Sequence, residues 1–279
     1  MPPASAVHSG PRPGFSPGYS PIARAGVSAP PAGYDTGMDF GIRRCPAGQS
    51  VSESSPKESA WVLLEGDATI ASGGQGVRAQ RHSVFDEAPT ALHVARDTAV
   101  AIEHHADTEW AIVRTDNAAA FAPRVFTPAD LQSEYRGAGL VQNACLREVR
   151  LIFDRATRPD SNLVVGEVVN YAGRWSSYPP HHHDQPEIYH YRFSHPDGYG
   201  HAENGGAIHK VRHCDTLFIS PGFDHAQVAA PGYGMYYLWL IRHLPGNPYT
   251  GFTFAPEHRW TLDPAQQGWG PADPPPGFA

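Results

Sequence analysis

The feature that most constrains the fold is a repeated alternation of short apolar runs with turn residues. The runs "TEWAIVRT" (108–115), "NLVVGEVVNYA" (162–172) and "GMYYLWLIRH" (234–243) are typical, and Gly, Pro and Asp separate them from their neighbours. Beta-branched and aromatic side chains suit a pleated, half-buried surface, so such spacing predicts a β-sandwich or barrel. Hydrophobic residues make up 41% of the 279-residue chain, which is enough for a real core. The chain is therefore predicted to be all-β.

The strand-rich pattern falls into two halves of similar length, although no repeated motif links them. Both ends of the chain are rich in Pro, Gly, Ala and Ser, a composition that buries too little apolar surface to offset the entropy of ordering. The predicted divisions are a flexible tail over 1–18, a first barrel over 19–117, a connector over 118–144, a second barrel over 145–262 and a Pro/Gly-rich tail over 263–279.

One short helix is predicted in the connector, within "FTPADLQSEY" (126–135). Thr127 is a suitable N-cap, Pro128 suits the first helical position, and Asp130 falls in the first turn, where a carboxylate is favoured.

Charge and cysteine usage exclude several classes of protein. The formal net charge of −7 and the pI of about 6.1 argue against a nucleic-acid partner, which usually requires a basic face. No run approaches the roughly 20 apolar residues of a membrane span, and the start of the chain lacks the apolar core of a signal peptide. Three scattered cysteines (Cys45, Cys145 and Cys214) form no pair motif. We therefore expect buried, reduced thiols in a cytoplasmic protein.

The stretch "SYPPHHHDQPEIYHYRF" (177–193) has the spacing of a metal site. In an extended chain, side chains alternate between faces, so His181 and His183 share a face and His182 points away. A turn at "DQP" would let Glu187 return its carboxylate to the histidine pair. Downstream, a Pro-Gly turn precedes His225, which supplies a fourth ligand.

Three imidazoles and one carboxylate suit one divalent transition metal: Zn, Mn, Fe, Co or Ni. The alternative is a solvated histidine cluster, since the chain contains 16 histidines. The spacing of Glu187 and the later Pro-Gly-x-x-His favour the metal site, and Zn or Mn is the expected ion.

These two motifs resemble the paired signature of cupin barrels. More narrowly, the blocks "GRWSSYPPHHHD" (173–184), "EIYHYRF" (187–193) and "AAPGYGMYYLWL" (229–240) closely resemble the 5-deoxyglucuronate isomerase family of inositol catabolism. That family is similar to the ketol-isomerase of pectin breakdown, which acts on a 4-deoxy-5-ketouronate. The resemblance extends from about residue 20 to residue 262, and the "WSSYPPH" block is its specific part.

The resemblance implies a bicupin: two antiparallel β-barrel (double-stranded β-helix) domains with one short connecting helix. Only the second barrel would hold metal, through His181, His183, Glu187 and His225. This chain departs from the family in two segments, 184–186 and 202–214, which are shorter here and are expected to border the barrel mouth.

The implied activity is a metal-dependent aldose–ketose isomerisation that converts 5-deoxyglucuronate to 2-deoxy-5-ketogluconate through an enediol. Such a reaction needs a base that moves a proton between C2 and C1. Glu167 is a candidate, because a carboxylate on a buried strand face has a raised pKa; the alternative is a carboxylate on an exposed face. Tyr189 and Tyr191 share the face of Glu187 and are candidate donors or core residues. His190 lies on the opposite face and is expected to be structural.

A sugar-acid substrate also needs a cation for its carboxylate. Arg174, Lys210 and Arg212 lie near the motifs in sequence, and an arginine is the better bidentate partner. Trp175, which begins the "WSSYPPH" block, is a further candidate for substrate binding. We select Arg174, Lys210 and Trp175, although each residue of this kind is more often a surface side chain.

Two other functions use the same residues. A cupin dioxygenase would employ the same four ligands and consume oxygen, whereas a non-enzymatic sugar-binding cupin would bind ligand without forming product. The intact ligand set favours an enzyme. We expect a small-molecule partner and neither nucleic acid nor membrane. Exposed barrel edges need covering, so a homo-oligomer is a general expectation for sheets of this kind.

Overall fold

The predicted all-β class is confirmed by a computed structural model, which describes residues 7–8, 15–27, 34–72 and 75–272. These residues form 21 strands and three 3-10 helices, and no α-helix occurs among them. Within this described part of the chain, no helix is long and apolar enough to cross a membrane.

The described part of the first half contains ten strands, and all of them except β1 belong to one nine-stranded sheet. They are β1 (Val7–His8), β2 (Gly18–Ala23), β3 (Met38–Cys45), β4 (Ser50–Glu53), β5 (Glu58–Ser72), β6 (Gln75–Arg81), β7 (Ala91–Val94), β8 (Val100–His104), β9 (Thr108–Thr115) and β10 (Arg124–Phe126). The order is β10-β7-β5-β9-β3-β2, and the long β5 also pairs with β6 and β8, which in turn pairs with β4. All pairings are antiparallel.

The second half forms two sheets, one of seven strands and one of five. Its strands are β11 (Ser133–Arg136), β12 (Arg147–Phe153), β13 (Leu163–Asn170), β14 (Trp175–His182), β15 (Glu187–Phe193), β16 (Tyr199–Asn204), β17 (Ala207–Arg212), β18 (Thr216–Ile219), β19 (His225–Ala229), β20 (Met235–Arg242) and β21 (Thr253–Phe254). The seven-stranded sheet has the order β1-β18-β15-β20-β13-β12-β11, and the five-stranded sheet has the order β17-β16-β19-β14-β21.

The 3-10 helices span Pro128–Asp130, Val141–Asn143 and Pro256–Leu262. The first is the predicted connecting helix, shortened to a single turn. Its start follows the prediction, because Asp130 accepts hydrogen bonds from the backbone N–H (2.8 Å) and hydroxyl (2.7 Å) of Thr127. The chain then extends as β11, since pairing with β12 satisfies its backbone groups in the sheet.

The two predicted tails differ in what the structure describes. Residues 1–6 and 9–14 of the first tail and 273–279 of the last lie outside the described residues. Within the first tail, Val7–His8 pairs with β18 at the edge of the seven-stranded sheet. Residues 263–272 of the last tail form neither strand nor helix.

Three apolar clusters hold the molecule together, one inside each half and one between them. We call the third the interface core; it joins side chains of the first half, such as Phe40 and Val62, to side chains of the seven-stranded sheet, such as Phe153, Val165 and Leu240. The seven-stranded sheet is therefore buried on both faces. One face packs on the first half, and the other faces the five-stranded sheet.

Candidate active site

A cavity of about 210 Å³ lies between the two sheets of the second half. Side chains that alternate along four strands of the seven-stranded sheet form one wall, as the period of a strand requires. They are Arg147, Val149, Leu151, Val164, Val168, Glu187, Tyr189, Tyr237, Trp239 and Ile241. The remaining lining includes His181, His183 and three aromatic residues that follow β20 (Tyr249, Phe252 and Phe254).

A cluster of metal-ligating side chains lies at this cavity. His183 Nε2 is 3.1 Å from Glu187 Oε2, and His225 Nε2 is 3.5 Å from the same oxygen. One ligand atom from each of these three residues lies within 4.8 Å of the others, which is close enough for all three to bind one ion. All three side chains are buried, with exposed fractions of 9% or less.

His181 joins this cluster through the register of its strand. It is the direct cross-strand partner of His225, and the two rings are 4.5 Å apart between centroids. The register shifts between Ser176 and His181, so residues 177–180 bulge out of the β14–β19 ladder. Ser177 adopts a positive φ of 52° in this bulge, so the "SSYPP" block leaves the ladder just before His181.

The donor set fits a divalent metal. His225 Nε2 has no hydrogen-bond partner although it is buried, while its Nδ1 is 3.3 Å from the carbonyl oxygen of Phe223. His181 Nδ1 is likewise 3.2 Å from the carbonyl oxygen of Pro179. Such contacts fix the tautomer that leaves Nε2 free to ligate. Burial lowers the pKa of His181 to about 4 and that of His225 well below its usual value, so both imidazoles are neutral, as ligands must be.

The alternation expected in "HHH" is what the structure shows. His182 does not line this cavity; its Nδ1 lies 2.8 Å from Asp224 instead. His190 also faces away, as expected, and its Nδ1 lies 2.8 Å from the hydroxyl of Thr216. Each is thus separated from the cluster by the period of its strand.

The two predicted tyrosines have different positions. Tyr189 lines the cavity, and its ring centroid is 5.9 Å from that of His225. Tyr191 lies deeper, does not line the cavity, and donates its hydroxyl proton to Gln227. Tyr237, which the sequence analysis missed, lines the cavity beside Tyr189, and Ser177 Oγ lies within 3.4 Å of both phenol oxygens. Burial raises the pKa of Tyr189 and Tyr237, so both phenols keep their protons.

The expectation that Glu167 is the catalytic base is corrected by its position. Glu167 is fully buried and shares a face with Val165 and Val169, as predicted, but that face packs on the first half. Its carboxylate accepts hydrogen bonds from Arg81 (2.7 Å), Arg150 (3.0 Å) and the Tyr236 hydroxyl (2.9 Å). The cavity-facing residues of β13 are Val164 and Val168 instead. Glu167 is therefore a structural ion-pair partner on the wrong side of the sheet.

The three predicted substrate-binding residues are not brought together at the cavity. Trp175 is 38% exposed, and its ring packs at 5.5 Å from that of Tyr178. Lys210 lies on the β16–β17 hairpin with its ammonium 4.0 Å above the Tyr199 ring. Neither these residues nor Arg174 line the cavity, and no residue of 202–214 does. Proximity in sequence failed here because the cavity wall is built mainly from the seven-stranded sheet, whereas Trp175 and Lys210 belong to the five-stranded sheet.

Two arginines that the sequence analysis missed line the cavity instead. Arg147 is buried, whereas Arg136 is exposed and forms an ion pair with Glu134 at 2.8 Å. The alternation of Arg147 with Val149 and Leu151 was a signal that could have identified it. No periodic signal marked Tyr249 or Phe252, because both lie in the irregular segment before β21.

Comparison with known proteins gives a consistent relationship. Residues 26–261 match the KduI/IolB family. The chain is 29% identical over 232 residues to the 5-deoxy-glucuronate isomerase of Geobacillus kaustophilus. The matched region covers 76% of this chain and 80% of that protein.

Solved structures share the fold. An IolB-like protein from Salmonella typhimurium superposes with a TM-score of 0.73 at 24% identity, covering 81% of this chain and 90% of that one. The oxalate decarboxylase of Bacillus subtilis, a protein with Mn(II) centres, gives a TM-score of 0.55 at 9% identity over 78% of this chain and 71% of that one. The predicted antiparallel all-β fold is thereby confirmed, and these solved structures share it.

Proposed function

Because this chain belongs to the KduI/IolB family and is an isomerase, we propose that it is a metal-dependent aldose–ketose isomerase converting 5-deoxyglucuronate to 2-deoxy-5-ketogluconate. The observation that carries the proposal is the cavity itself, in which His183, Glu187 and His225 converge beside two protonated phenols. The reaction would serve inositol catabolism. Three free, buried cysteines favour a reducing, cytoplasmic setting for it.

The reaction requires a proton to leave C2 and a proton to reach C1. The electrons of the C2–H bond form the C1=C2 double bond of the enediol, while the C1 oxygen takes up a proton. Loss of the C2 hydroxyl proton and protonation of C1 then leave a carbonyl at C2 and a hydroxyl at C1. A divalent ion held by His181, His183, Glu187 and His225 would polarise the C1 carbonyl and so make the C2 proton more acidic.

The phenols of Tyr189 and Tyr237 supply the hydrogen bonds that the developing negative charge needs. Both are protonated, because burial raises the pKa of each, and so both can donate to a substrate oxygen. Ser177 Oγ lies 3.4 Å from the Tyr189 oxygen and 3.2 Å from the Tyr237 oxygen, so one serine couples the two donors. Apolar side chains such as Val164 and Val168 limit water at the same wall.

We further propose Mn or Zn as the metal. Three imidazoles with one carboxylate suit either ion. The Mn(II) centres of the Bacillus subtilis oxalate decarboxylase, which shares this fold, give additional support to manganese.

Proton NMR in D2O tests the proposal directly. Metal-loaded protein incubated with 5-deoxyglucuronate should consume the C1 aldehyde-hydrate signal and produce a 2-ketose, with deuterium incorporated at C1. His183→Ala should abolish both the reaction and the binding of one equivalent of metal. No ketose from the metal-loaded wild type would refute the proposed substrate, and oxygen uptake coupled to turnover would point to a dioxygenase.

A further inference from the structure

Arg147 is a buried cation on the cavity wall, and none of the described residues gives it an anionic partner. It is 9% exposed and begins β12, where it shares the cavity-facing side with Val149 and Leu151. Its Nη1 donates a hydrogen bond to the carbonyl oxygen of Cys145 at 2.9 Å. Within residues 7–8, 15–27, 34–72 and 75–272, no carboxylate lies within 4.0 Å of its guanidinium.

The other buried arginines of the second half are treated differently. Arg150 is paired with Glu148 at 2.8 Å and with Glu167 at 3.0 Å. Arg192 is paired with Glu109 across the interface between the two halves. The chain therefore neutralises a buried guanidinium where its role is structural, and Arg147 is an exception located at the candidate active site.

Burial without a counter-charge has a physical consequence. Desolvation lowers the pKa of Arg147, but a guanidinium remains charged at any physiological pH. The site thus holds a desolvated positive charge whose cost an anionic ligand would relieve. The planar guanidinium with its parallel N–H donors matches a carboxylate in a bidentate contact.

The sheet register gives this charge a place at one end of the cavity wall. Glu187 is level with Ile241 on β20, whereas Arg147 pairs with Asn170 on β13, which pairs with Met235 on β20. The two charged residues therefore enter the wall six residues apart along β20 (241 − 235). Six residues span about 20 Å of strand, so the long side chain of Arg147 would reach back along the wall to meet the carboxylate end of a sugar acid whose reacting carbons lie at the cluster.

We infer that Arg147 binds the carboxylate of the substrate and thereby orients C1 and C2 toward the His/Glu cluster. The inference rests on the proposed function, and it makes Arg147 the residue that selects a uronate over a neutral sugar. It replaces the cation that sequence proximity had assigned to Arg174 or Lys210.

A substrate swap tests this role. Wild type, Arg147→Met and Arg147→Lys would be assayed with 5-deoxyglucuronate and with 5-deoxyglucose, in which a hydroxymethyl group replaces the carboxylate. We expect Arg147→Met to lose kcat/KM on the uronate by on the order of 100-fold, mainly through KM. Activity on the neutral sugar should stay within a few-fold of the wild-type value, and Arg147→Lys should recover part of the loss on the uronate. Arg96→Met, which removes an exposed arginine of the first half, is the matched control.

Stability and chemical rescue separate substrate binding from a structural role. Removing an unpaired buried charge should leave the thermal midpoint of Arg147→Met unchanged or raised, and Arg147→Ala should regain activity with millimolar guanidinium but not with potassium at equal ionic strength. An equal loss of activity on both sugars, or no loss on the uronate, would overturn the inference.

Failure of the proposed function would have a different signature. The binding of gluconate, a sugar acid with no aldehyde to isomerise, would be measured by calorimetry in wild type and Arg147→Met. Gluconate bound only by wild type, together with no isomerisation of 5-deoxyglucuronate, would sink the proposed reaction and leave the carboxylate site standing. Equal binding to both proteins would sink the carboxylate site.

Discussion

Arg147 and Arg150 lie three residues apart on the same strand, yet the two faces of β12 treat their charges in opposite ways. Arg150 faces the first half, where Glu148, Glu167 and backbone carbonyl groups of residues 84, 85 and 87 satisfy its donors. Arg147 faces the cavity, and its one hydrogen-bond partner among the described residues is the carbonyl group of Cys145. Both side chains are buried, so burial alone does not separate a structural charge from a functional one. What separates them is whether the protein itself completes the hydrogen bonds.

The same contrast holds for the carboxylates. Glu167 accepts hydrogen bonds from two arginines and a tyrosine, whereas the one hydrogen-bond partner of the Glu187 carboxylate among the described residues is His183 Nε2. A fully satisfied buried network rigidifies a structure, and an incomplete one retains binding capacity. The face of the seven-stranded sheet that packs on the first half is therefore structural. The opposite face, which lines the cavity, carries the candidate chemistry.

The largest effect is expected on the structural side. Glu167→Gln leaves the buried guanidinium of Arg81 without its only carboxylate partner among the described residues, so the free energy of unfolding should fall by about 3–5 kcal/mol. Isomerase activity per folded molecule should change little. Urea unfolding and a steady-state assay on the same sample would measure both. Glu134→Gln, which breaks an exposed pair with Arg136, is the control and should cost less than about 1 kcal/mol. Loss of activity without loss of stability in Glu167→Gln would contradict the division between the faces.

The converse is expected on the chemical side. Glu187→Gln should lower kcat by roughly 10²–10³-fold and weaken metal binding, because it removes the one carboxylate of the cluster. The unfolding free energy of the metal-free protein should stay within about 1 kcal/mol of wild type. Metal content by mass spectrometry, turnover and urea unfolding test this pattern, with the exposed Glu257→Gln as a control. If metal-free Glu187→Gln lost as much unfolding free energy as Glu167→Gln, both faces of the sheet would be structural.

The smallest effect concerns the pH dependence of a second network at the interface. His93 Nε2 lies 2.7 Å from Glu58, and burial lowers the pKa of His93 below its usual 6.5 despite that contact. The unfolded chain then binds a proton near pH 6.5 that the folded chain does not, so stability should be lost as the pH falls below 6.5. Each such histidine contributes at most about 1.4 kcal/mol per pH unit. Unfolding free energies from pH 7.5 to 5 should therefore fall less steeply in His93→Gln. An unchanged slope would mean that His93 is protonated in the folded state.

Strand periodicity predicted the arrangement of the candidate metal ligands because it depends only on local geometry. It predicted that His181 and His183 face the cavity and that His182 and His190 face away from it, and the structure shows this arrangement. The turn residues around "DQP" and Pro-Gly also gave the return of Glu187 and His225 toward the pair.

The same reasoning failed for Glu167 because periodicity defines two faces without saying what covers each one. All eight residues of β13 are buried, so neither face is marked by solvent exposure. Arg147 was missed for a related reason, since a strand between two packed layers can carry charge inward on either side. The aromatic segment around Tyr249 and Phe252 is set by the irregular path of the chain after β20, which no sequence period encodes.

The interface core means that the half carrying the candidate metal ligands does not complete its own apolar packing. The back of its cavity wall is held in place by side chains such as Phe40 and Val62, although none of the described residues of the first half lines the cavity. A gene trimmed to the second half would encode every candidate ligand and still expose the apolar back of the sheet that aligns them. Selection for the chemistry would therefore act on both halves together, because the first half supports the sheet that aligns the candidate ligands.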